Sequence, residues 1–404
     1  MDELTENDIV ALDKQYVVQT YKRLPVTLVR GEGTKVWDVN GKEYLDFLAG
    51  IAVVNLGHCH PAVVDAIERQ AKTLMLTSNF FYNVPQTKLA EILCKASGMD
   101  QAFFCNSGAE AVEGCIKLAR KWGKEKREGA SDIIVAEGAF HGRTITAVTA
   151  GGTEKYRAPF TPLPEGFVRV PFDDVEAIKR ATTANTAAVF VEPVQGEAGV
   201  IVPGDDYLPA VRRWCDEAGI LMILDEVQSG MGRTGKMFAY QHYDVEPDVI
   251  SVAKGLGSGF PIGAFLAKDH CAVLGFGEHG TTFGGGPLAC EVGYTVTKYM
   301  LDHDIPAQAA TKGEYMERKL QSLADRHENV TEVRGKGLFW AIELDQPVSE
   351  EIIRKCLDAG LIVNNVKPNA VRLVPPLTVS EDEIDQAIAI LDGVLAGLDP
   401  DTTK

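Results

Sequence analysis

The fold is decided by the stretch Asp248-Val-Ile-Ser-Val-Ala-Lys254, which runs directly into Gly255-Leu-Gly-Ser-Gly-Phe-Pro261. A short, continuous apolar run of this kind predicts a strand that is buried on both faces of a sheet. The glycines that follow predict a bend of the backbone around the lysine. A lysine at the end of a buried strand is poorly placed to be a solvated surface charge, so we expect Lys254 to have a chemical partner.

A second apolar strand ends in a carboxylate. It reads Ile220-Leu-Met-Ile-Leu-Asp225 and continues as Glu226-Val-Gln228. An amine in apolar surroundings has a lowered pKa and can form a Schiff base with an aldehyde. A buried carboxylate can keep the nitrogen of a pyridine ring protonated. The pair of Lys254 and Asp225 therefore predicts an enzyme that uses pyridoxal 5'-phosphate (PLP).

The size and charge of the chain limit its class and its partners. Of 404 residues, 45% are hydrophobic, which is enough for a large core and more than one domain. Lys and Arg number 40 against 57 Asp and Glu, which gives a formal charge of -17. We therefore expect neither a nucleic acid nor a membrane as partner, and an anionic small molecule must be met by local cations.

The amino terminus and the cysteines indicate a cytoplasmic protein. The first residues, Met1-Asp-Glu-Leu-Thr-Glu-Asn-Asp8, lack the basic and then apolar order of a signal peptide, and no apolar stretch is long enough to span a bilayer. The eight cysteines are scattered without a Cys-x-x-Cys pair, which favours reduced thiols. The cluster His58-Cys59-His60 has no further ligands near it in sequence, so no metal site is predicted.

Strands and helices alternate through the middle of the chain. Apolar strands are predicted at 102–105, 132–136, 187–194, 221–227, 249–253 and 263–267, with helices at 86–96, 109–124 and 207–218. This order predicts an α/β fold with a mainly parallel sheet that is covered on both faces and carries its site at the carboxyl edge. We expect an amino-terminal arm (1–55) that is part of a small domain, a large domain (56–290) and a smaller α+β domain (291–404).

Secondary structure is also predicted outside the central region. The arm contains a hairpin with Asn40-Gly41 at its turn, and a helix is expected at 62–75. In the carboxyl-terminal part, strands are expected at 337–344 and 371–374 and helices at 307–327, 349–359 and 381–395.

A strand-to-helix junction made of small residues is a candidate phosphate site. It reads Phe103-Phe104-Cys105-Asn106-Ser107-Gly108-Ala109-Glu110. Small residues let backbone N–H groups approach an anion, and a helix amino terminus favours negative charge. An ordinary turn would have the same composition, but the junction occurs together with Lys254 and Asp225. The order Gly255-x-Gly257-x-Gly259 does not complete a Gly-x-Gly-x-x-Gly fingerprint, so nicotinamide binding is not favoured.

Two arginines are candidates for binding carboxylate substrates. Arg143 follows a glycine in Phe140-His141-Gly142-Arg143, and Arg372 lies in the otherwise apolar Val371-Arg-Leu-Val-Pro-Pro376. A guanidinium between apolar residues usually has a carboxylate partner, which can be structural or a substrate. Glu197, in Val194-Gln-Gly-Glu197, is a candidate partner for Arg372.

These residues together resemble the class-III, fold-type-I PLP-dependent aminotransferases, in the subgroup that includes acetylornithine and ornithine aminotransferases. The matching motifs run from Tyr21-Lys-Arg-Leu-Pro-Val through Leu-Gly-His-Cys-His-Pro61, Asn-Ser-Gly-Ala-Glu110, Phe-His-Gly-Arg-Thr144, Glu-Pro-Val-Gln-Gly-Glu197, Leu-Asp-Glu-Val-Gln228, Ala-Lys-Gly-Leu-Gly257 and His-Gly-Thr-Thr-Phe-Gly-Gly285 to Arg-Gly-Lys-Gly-Leu338. The chain departs from the usual pattern at Gly286 and Val112, where relatives commonly have Asn. The resemblance implies a seven-stranded central sheet in a large domain and a smaller α+β domain.

The resemblance also implies a role for each matching residue. Lys254 would bind PLP covalently and then move the proton, and Asp225 would pair with the ring nitrogen. The other cofactor contacts would come from Gln228 at the ring hydroxyl, Phe140 stacked on the ring, Ser107, Gly108 and Ala109 at the phosphate, and Thr282 from the neighbouring subunit. The active sites would therefore require a homodimer. Substrate binding would involve Tyr21, Thr281, Arg143 and Arg372, with Glu197 neutralising Arg372 until an α-keto acid enters.

The expected reaction moves the terminal amino group of N2-acetyl-L-ornithine to 2-oxoglutarate, giving N-acetylglutamate 5-semialdehyde and L-glutamate in arginine biosynthesis. Free ornithine, succinylornithine, succinyldiaminopimelate and 4-aminobutyrate stay open as donors, because the sequence does not reveal the volume of the pocket. Two other readings are an aminomutase or racemase of the same fold, which needs no second amino acceptor, and a catalytically silent binding protein. Retention of the lysine, the aspartate and both arginines argues against the silent protein.

Overall fold

A computed structural model describes residues 5–398 of the chain. Its strands are β1 (Leu28–Glu32), β2 (Lys35–Asp38), β3 (Glu43–Asp46), β4 (Gln101–Cys105), β5 (Asp132–Ala136), β6 (Phe167–Val170), β7 (Thr186–Val191), β8 (Leu221–Asp225), β9 (Val249–Val252), β10 (Gly263–Ala267), β11 (Val330–Lys336), β12 (Phe339–Leu344), β13 (Leu361–Ile362), β14 (Asn364–Lys367) and β15 (Ala370–Leu373). Its α-helices are α1 (Glu6–Tyr16), α2 (Ala49–Ala52), α3 (Pro61–Ala71), α4 (Val84–Ser97), α5 (Gly108–Lys126), α6 (Ile145–Ala150), α7 (Glu154–Arg157), α8 (Val175–Ala181), α9 (Tyr207–Ala218), α10 (Pro287–Asp302), α11 (Ile305–Ala324), α12 (Ser349–Asp358) and α13 (Glu381–Ala396).

The central sheet has seven strands in the order β4-β10-β9-β8-β7-β5-β6. Only β10 runs against its neighbours, β4 and β9, while the pairs from β9 to β6 are parallel. This arrangement confirms the predicted mainly parallel α/β sheet. Every residue of β7, β8, β9 and β10 is buried, which explains why these strands are continuous apolar runs in the sequence.

Some predicted element bounds were wrong at the carboxyl edge of this sheet. The strands predicted at 187–194 and 221–227 end at Val191 and Asp225, because the chain turns there to present polar side chains. The edge strand β6 was not predicted from the sequence. Its four residues, Phe-Val-Arg-Val, include a charged side chain and are too few to give a clear apolar run.

Of the two smaller sheets, one combines the beginning and the end of the chain, and the other is built from the carboxyl-terminal part alone. The hairpin of β2 and β3 turns at Asn40-Gly41, as predicted, with Gly41 at a φ of +83°. Strand β13, from the carboxyl-terminal part, pairs in parallel with β3, and the third sheet has the order β11-β12-β15-β14. The domain division at residues 55 and 290 stays a prediction, and the pairing of β13 with β3 supports the assignment of the arm to the small domain.

The segment after α3 differs from its prediction. The helix predicted at 62–75 ends at Ala71, and the irregular chain that follows carries exposed apolar side chains. These side chains, called here the apolar surface, are Leu74, Met75, Leu76, Phe80, Phe81, Tyr82 and Val84, together with Phe283. Among residues 5–398, no helix is both long and apolar enough to cross a membrane.

Candidate active site

Three neighbouring strands each end in a functional side chain at the same edge of the central sheet. Glu192 follows β7, Asp225 is the last residue of β8, and Lys254 comes shortly after β9. Val191 lies opposite Leu224, so the two carboxylates are level with each other on adjacent strands. The three side chains line one cavity of about 350 Å³, which is large enough for a small ligand.

Lys254 has the properties of a reactive amine. It lies inside the cavity wall with a backbone φ of +42°, an uncommon conformation for a residue with a side chain. Burial lowers the pKa of Lys254 to about 8, because a charged ammonium group is poorly solvated there, although the nearby Glu197 opposes the shift. About a tenth of this amine is therefore uncharged and nucleophilic at pH 7, far more than for an ordinary lysine.

Asp225 is fixed by three hydrogen-bond donors. Its Oδ2 accepts from His141 Nδ1 at 2.7 Å, and its Oδ1 accepts from Ser251 Oγ at 2.9 Å and from the backbone N–H of Val227 at 3.0 Å. The His141 ring is itself stacked on Phe190, with 4.6 Å between the ring centroids. The sequence analysis did not assign a role to His141, although the residue follows Phe140 directly. These contacts fix the position of the Asp225 carboxylate at the wall of the cavity.

The junction from β4 to α5 forms a cup for an anion. Ser107 caps α5, and its Oγ accepts from the backbone N–H of Glu110 at 3.2 Å. As at any helix amino terminus, the N–H groups of the first residues, Gly108 and Ala109, have no partners within the helix. Only small residues fit here, since a Cβ on Gly108 would lie 2.8 Å from Val227 Cγ1 and one on Gly142 would lie 2.9 Å from Ala109 Cβ. The amino terminus of a 19-residue helix thus faces the cavity and can hold a phosphate.

Glu192 is a second buried carboxyl group that the sequence analysis did not single out. Its Oε2 accepts from the backbone N–H of Phe140 at 3.1 Å, so it holds the segment that bears the Phe140 ring. Burial, and then the neighbouring charge of Asp225, raise the pKa of Glu192 well above its usual value. The signal in the sequence was its position at the end of an apolar strand, as for Asp225.

The structure contains the ion pair of Arg372 and Glu197 that the sequence analysis expects. Arg372 is fully buried, and its Nη1 donates to Glu197 Oε1 at 2.6 Å and to Gln228 Oε1 at 3.1 Å. Burial by itself opposes ionisation of Glu197, but the charges of Arg372 and Lys254 outweigh it and lower its pKa. Gln228 also donates to Glu197 at 3.3 Å, so both ends of its amide are occupied by the pair.

Five of the expected site residues do not line the cavity: Tyr21, Arg143, Thr281, Thr282 and Arg372, which lies behind Glu197 and Gln228. Tyr21 and Arg143 are exposed on the surface, and Thr282 is exposed on the loop before α10. Thr281 lies nearer to the cavity than these three residues. Its Oγ1 accepts from Asn106 Nδ2 at 3.1 Å, beside the anion cup. The other residues predicted to bind the cofactor, namely Ser107, Gly108, Ala109, Phe140, Asp225, Gln228 and Lys254, all line it.

Comparison with known proteins identifies the family. The model of the family described as "Aminotransferase class-III" matches residues 16–395. The chain belongs to the class-III aminotransferases. This aminotransferase is 50% identical over 394 residues to acetylornithine aminotransferase from Methanocaldococcus jannaschii, covering 97% of this chain and 98% of that protein.

Solved structures of relatives have the same fold as this aminotransferase. One is an ornithine aminotransferase from Toxoplasma gondii, described with partial occupancy of PLP at its active site, with a TM-score of 0.94 and 36% identity over 98% of this chain and 95% of that chain. Another is the acetylornithine aminotransferase of Elizabethkingia anophelis, with a TM-score of 0.87 and 36% identity over 97% of this chain and 99% of that chain. The fold-type-I prediction is therefore confirmed.

Proposed function

We propose that this aminotransferase moves the terminal amino group of N2-acetyl-L-ornithine to 2-oxoglutarate, producing N-acetylglutamate 5-semialdehyde and L-glutamate for arginine biosynthesis. The observation that carries this proposal is the ion pair between the buried Arg372 and Glu197, because Glu197 lines the same cavity as Lys254. A cation that is neutralised by a movable carboxylate suits a site that must admit two partners with different arrangements of charge. The acetylornithine aminotransferase that is 50% identical over nearly the whole chain supports the choice of donor.

We propose PLP as the cofactor, and the residues of the cavity fit it. The anion cup at Ser107, Gly108 and Ala109 suits the phosphate, and Asp225 is a fixed carboxylate that suits a ring nitrogen. When bound, PLP supplies an aldehyde that takes up the amino group and a protonated ring that withdraws electrons from the reacting carbon. Phe140 would cover one face of that ring.

The chain itself supplies proton transfer and orientation. Lys254 Nζ, with its pKa lowered to about 8 by burial, would take the proton from the substrate carbon and deliver it to the cofactor carbon. A positioned amine contributes roughly 10²- to 10⁴-fold to such a step. Asp225 is held in place for the ring nitrogen by His141, Ser251 and the Val227 N–H, which donate to it.

The two arginines divide the recognition of carboxylates between them. Arg143 is exposed beside the cavity, and no ion pair joins it to a carboxylate of residues 5–398, so it is available for the α-carboxylate of the ornithine-type donor. Arg372 stays neutralised by Glu197 while this donor reacts. When 2-oxoglutarate or glutamate enters, Glu197 moves aside and Arg372 binds the α-carboxylate in a bidentate geometry. Tyr21 and Thr281 complete the substrate site.

We also propose a homodimer in which Thr282 of one subunit reaches the phosphate in the other. The apolar surface supports this proposal, since large contiguous exposed apolar patches usually mark an interface. It adjoins the site through Asn79, whose Nδ2 donates to the carbonyl oxygen of Gly284 at 2.9 Å on the loop that carries Thr282. Light scattering should give twice the 43.8 kDa of one chain.

A cytoplasmic location is also proposed. It is supported by the eight free cysteines, six of them buried, because thiols stay reduced in the cytoplasm.

Free ornithine is the second candidate donor, because ornithine aminotransferases are among the similar solved structures at a TM-score of 0.94. The test is a panel of ω-amines, each assayed with 2-oxoglutarate on purified protein supplied with PLP, with glutamate formation as the readout. We expect the highest kcat/KM for N2-acetylornithine among acetylornithine, ornithine, succinylornithine, succinyldiaminopimelate and 4-aminobutyrate. A higher value for any other amine overturns the donor, and turnover without glutamate overturns the reaction. The variant Lys254→Ala should abolish turnover, with the exposed Lys95→Ala as its control.

A further inference from the structure

The side chain of Arg143 is held by aromatic rings. Its guanidinium carbon lies 3.9 Å from the ring centroid of Tyr156, on α7, and 5.2 Å from that of Phe140. The two rings meet edge to face, with 6.4 Å between their centroids and an interplanar angle of 86°. Three side chains from two separate segments therefore form one cluster at the border of the site.

The backbone of Arg143 is fixed independently of this cluster. Gly142 adopts a φ of +131° and packs closely against Ala109 of the anion cup. Thr144, on the other side, donates from Oγ1 to Glu113 Oε1 at 2.5 Å. These contacts determine where the arginine side chain begins, but they leave its long flexible stem free to sample many rotamers.

Tyr156 restricts those rotamers. An arginine over an aromatic face gains both electrostatic attraction and flat stacking, and it keeps its N–H groups free at the rim to bind a carboxylate. A carboxylate partner from the protein would restrict the side chain too, but it would neutralise the charge that the substrate needs. An aromatic partner orients the cation without cancelling it.

We propose that Tyr156 is a positioning residue that holds Arg143 in place for the carboxylate of the amino donor, and so sets the affinity for the donor but not for 2-oxoglutarate. This inference rests on the proposed division of labour between Arg143 and Arg372. Arg372 lies in the small sheet, on β15, and is held by Glu197 and Gln228, so its position does not depend on Tyr156.

A purely structural role for Tyr156 makes a different prediction. In that case its loss would disturb α7 and the neighbouring Phe140, and the KM values of both substrates would rise together. Lys155 provides a matched control, because its Nζ also lies near the Tyr156 ring, at 5.1 Å from the centroid, on the same short helix. Removal of Lys155 takes away a cation from this ring without touching Arg143.

The experiment compares Tyr156→Leu, Tyr156→Phe and Lys155→Ala with the unmodified holoenzyme. Tyr156→Leu should raise the KM for N2-acetylornithine by about 2- to 30-fold, which is the range that a cation–π contact is worth. The KM for 2-oxoglutarate should stay within about twofold. Tyr156→Phe, which keeps an aromatic face, should restore the donor KM, and Lys155→Ala should leave it within about twofold.

Tyr156→Gln, which also removes the aromatic face, takes the place of Tyr156→Leu if that variant is poorly folded, and it should raise the donor KM in the same way. In an Arg143→Ala background, Tyr156→Phe and the non-aromatic variant that folds should have the same donor KM, since there is no guanidinium left to position. Equal increases of both KM values, or no rescue by Tyr156→Phe, would overturn the inference. If the unmodified enzyme prefers another ω-amine that carries an α-carboxylate, the donor proposal fails but the same comparison on that amine still decides the role of Tyr156.

Discussion

Replacing Glu197 by Gln should move the affinities for the two substrates in opposite directions. Glu197 is the charged partner of Arg372, at 2.6 Å from its Nη1, and the arginine side chain is fully buried. The substitution removes the negative charge but keeps a hydrogen-bond acceptor of nearly the same shape. Arg372 then carries an uncompensated charge at the position where 2-oxoglutarate is proposed to bind.

The size of the effect follows from what the incoming carboxylate must displace. A hydrogen bond to a charged group contributes about 1.5–3 kcal/mol, which corresponds to roughly 10- to 150-fold in affinity. In the unmodified enzyme, Glu197 competes with the carboxylate of 2-oxoglutarate for Arg372. The neutral amide in Glu197→Gln competes less strongly, so the KM for 2-oxoglutarate should fall by about 10-fold or more. The KM for N2-acetylornithine should rise, because its carboxylate can now bind to the unmasked Arg372 in a non-productive orientation.

The stability of the variant should fall by less than the loss of a buried ion-pair partner usually costs. That cost is about 3–5 kcal/mol when the remaining charge has no other contact. Here Glu197 is 31% exposed, and Arg372 keeps bonds to Gln228, to the carbonyl oxygen of Gly196 and to Asn364. Thermal unfolding should therefore show a folded protein with a modestly lower Tm.

The assay measures the donor half-reaction on PLP-loaded protein and the 2-oxoglutarate half-reaction on protein loaded with pyridoxamine 5'-phosphate. Glu343→Gln is the matched control, since Glu343 pairs with Arg334 at 2.6 Å, is 26% exposed and lies outside the cavity. This control should leave both KM values unchanged. If Glu197→Gln moves both KM values in the same direction, or raises the KM for 2-oxoglutarate, the reasoning about the masked arginine is refuted.

Other perturbations test the cofactor site. Asp225→Asn should lower kcat by at least about 10²-fold, because the ring nitrogen of PLP loses its proposed anionic partner. Single-turnover rates with a saturating donor measure this loss, and a loss below tenfold would contradict the assignment. The rate at which the apoprotein captures PLP should rise with pH and level off above the Lys254 pKa of about 8, since only the neutral amine attacks. Stopped-flow absorbance from pH 6 to pH 9.5 measures this rate. A rate that does not change with pH would show that deprotonation of Lys254 does not control PLP capture. Gly108→Ala should weaken PLP binding, because its Cβ would lie 2.8 Å from Val227 Cγ1. As a control, Gly393→Ala in α13 places its Cβ in open space and should leave the PLP Kd unchanged. Equal Kd values for both variants in fluorescence titrations would contradict phosphate binding at the anion cup.

The central sheet and its two principal residues could be read from the sequence. Buried parallel strands are continuous apolar runs, and the carboxyl ends of such strands meet at one edge of the sheet. The proximity of Asp225 and Lys254 therefore follows from two local patterns and one rule of topology. The strands β5 and β10 and helix α9 were predicted with the bounds that the structure has.

The rest of the site depends on contacts between distant segments. Glu197 and Arg372 are 175 residues apart, and His141 and Asp225 are 84 residues apart. No local periodicity reveals such a pair. The apolar flanks of Arg372 indicated that it needs a carboxylate partner, and Glu197 was named only as a candidate for that partner. Strands β6 and β11 were missed because partly exposed strands lack the apolar run that marks a buried one.

The layered α/β framework and the reactive lysine beside a carboxylate follow from the amino-acid pattern, because burial imposes that pattern on consecutive residues. The side chains that surround this pair are set by long-range packing. His141 and Glu192 adjoin Asp225 through strand register and a loop, and Tyr156 reaches Arg143 from another helix. Such contacts arise when separate elements pack together, and the free energy that selects them comes from the whole core, not from the local chain.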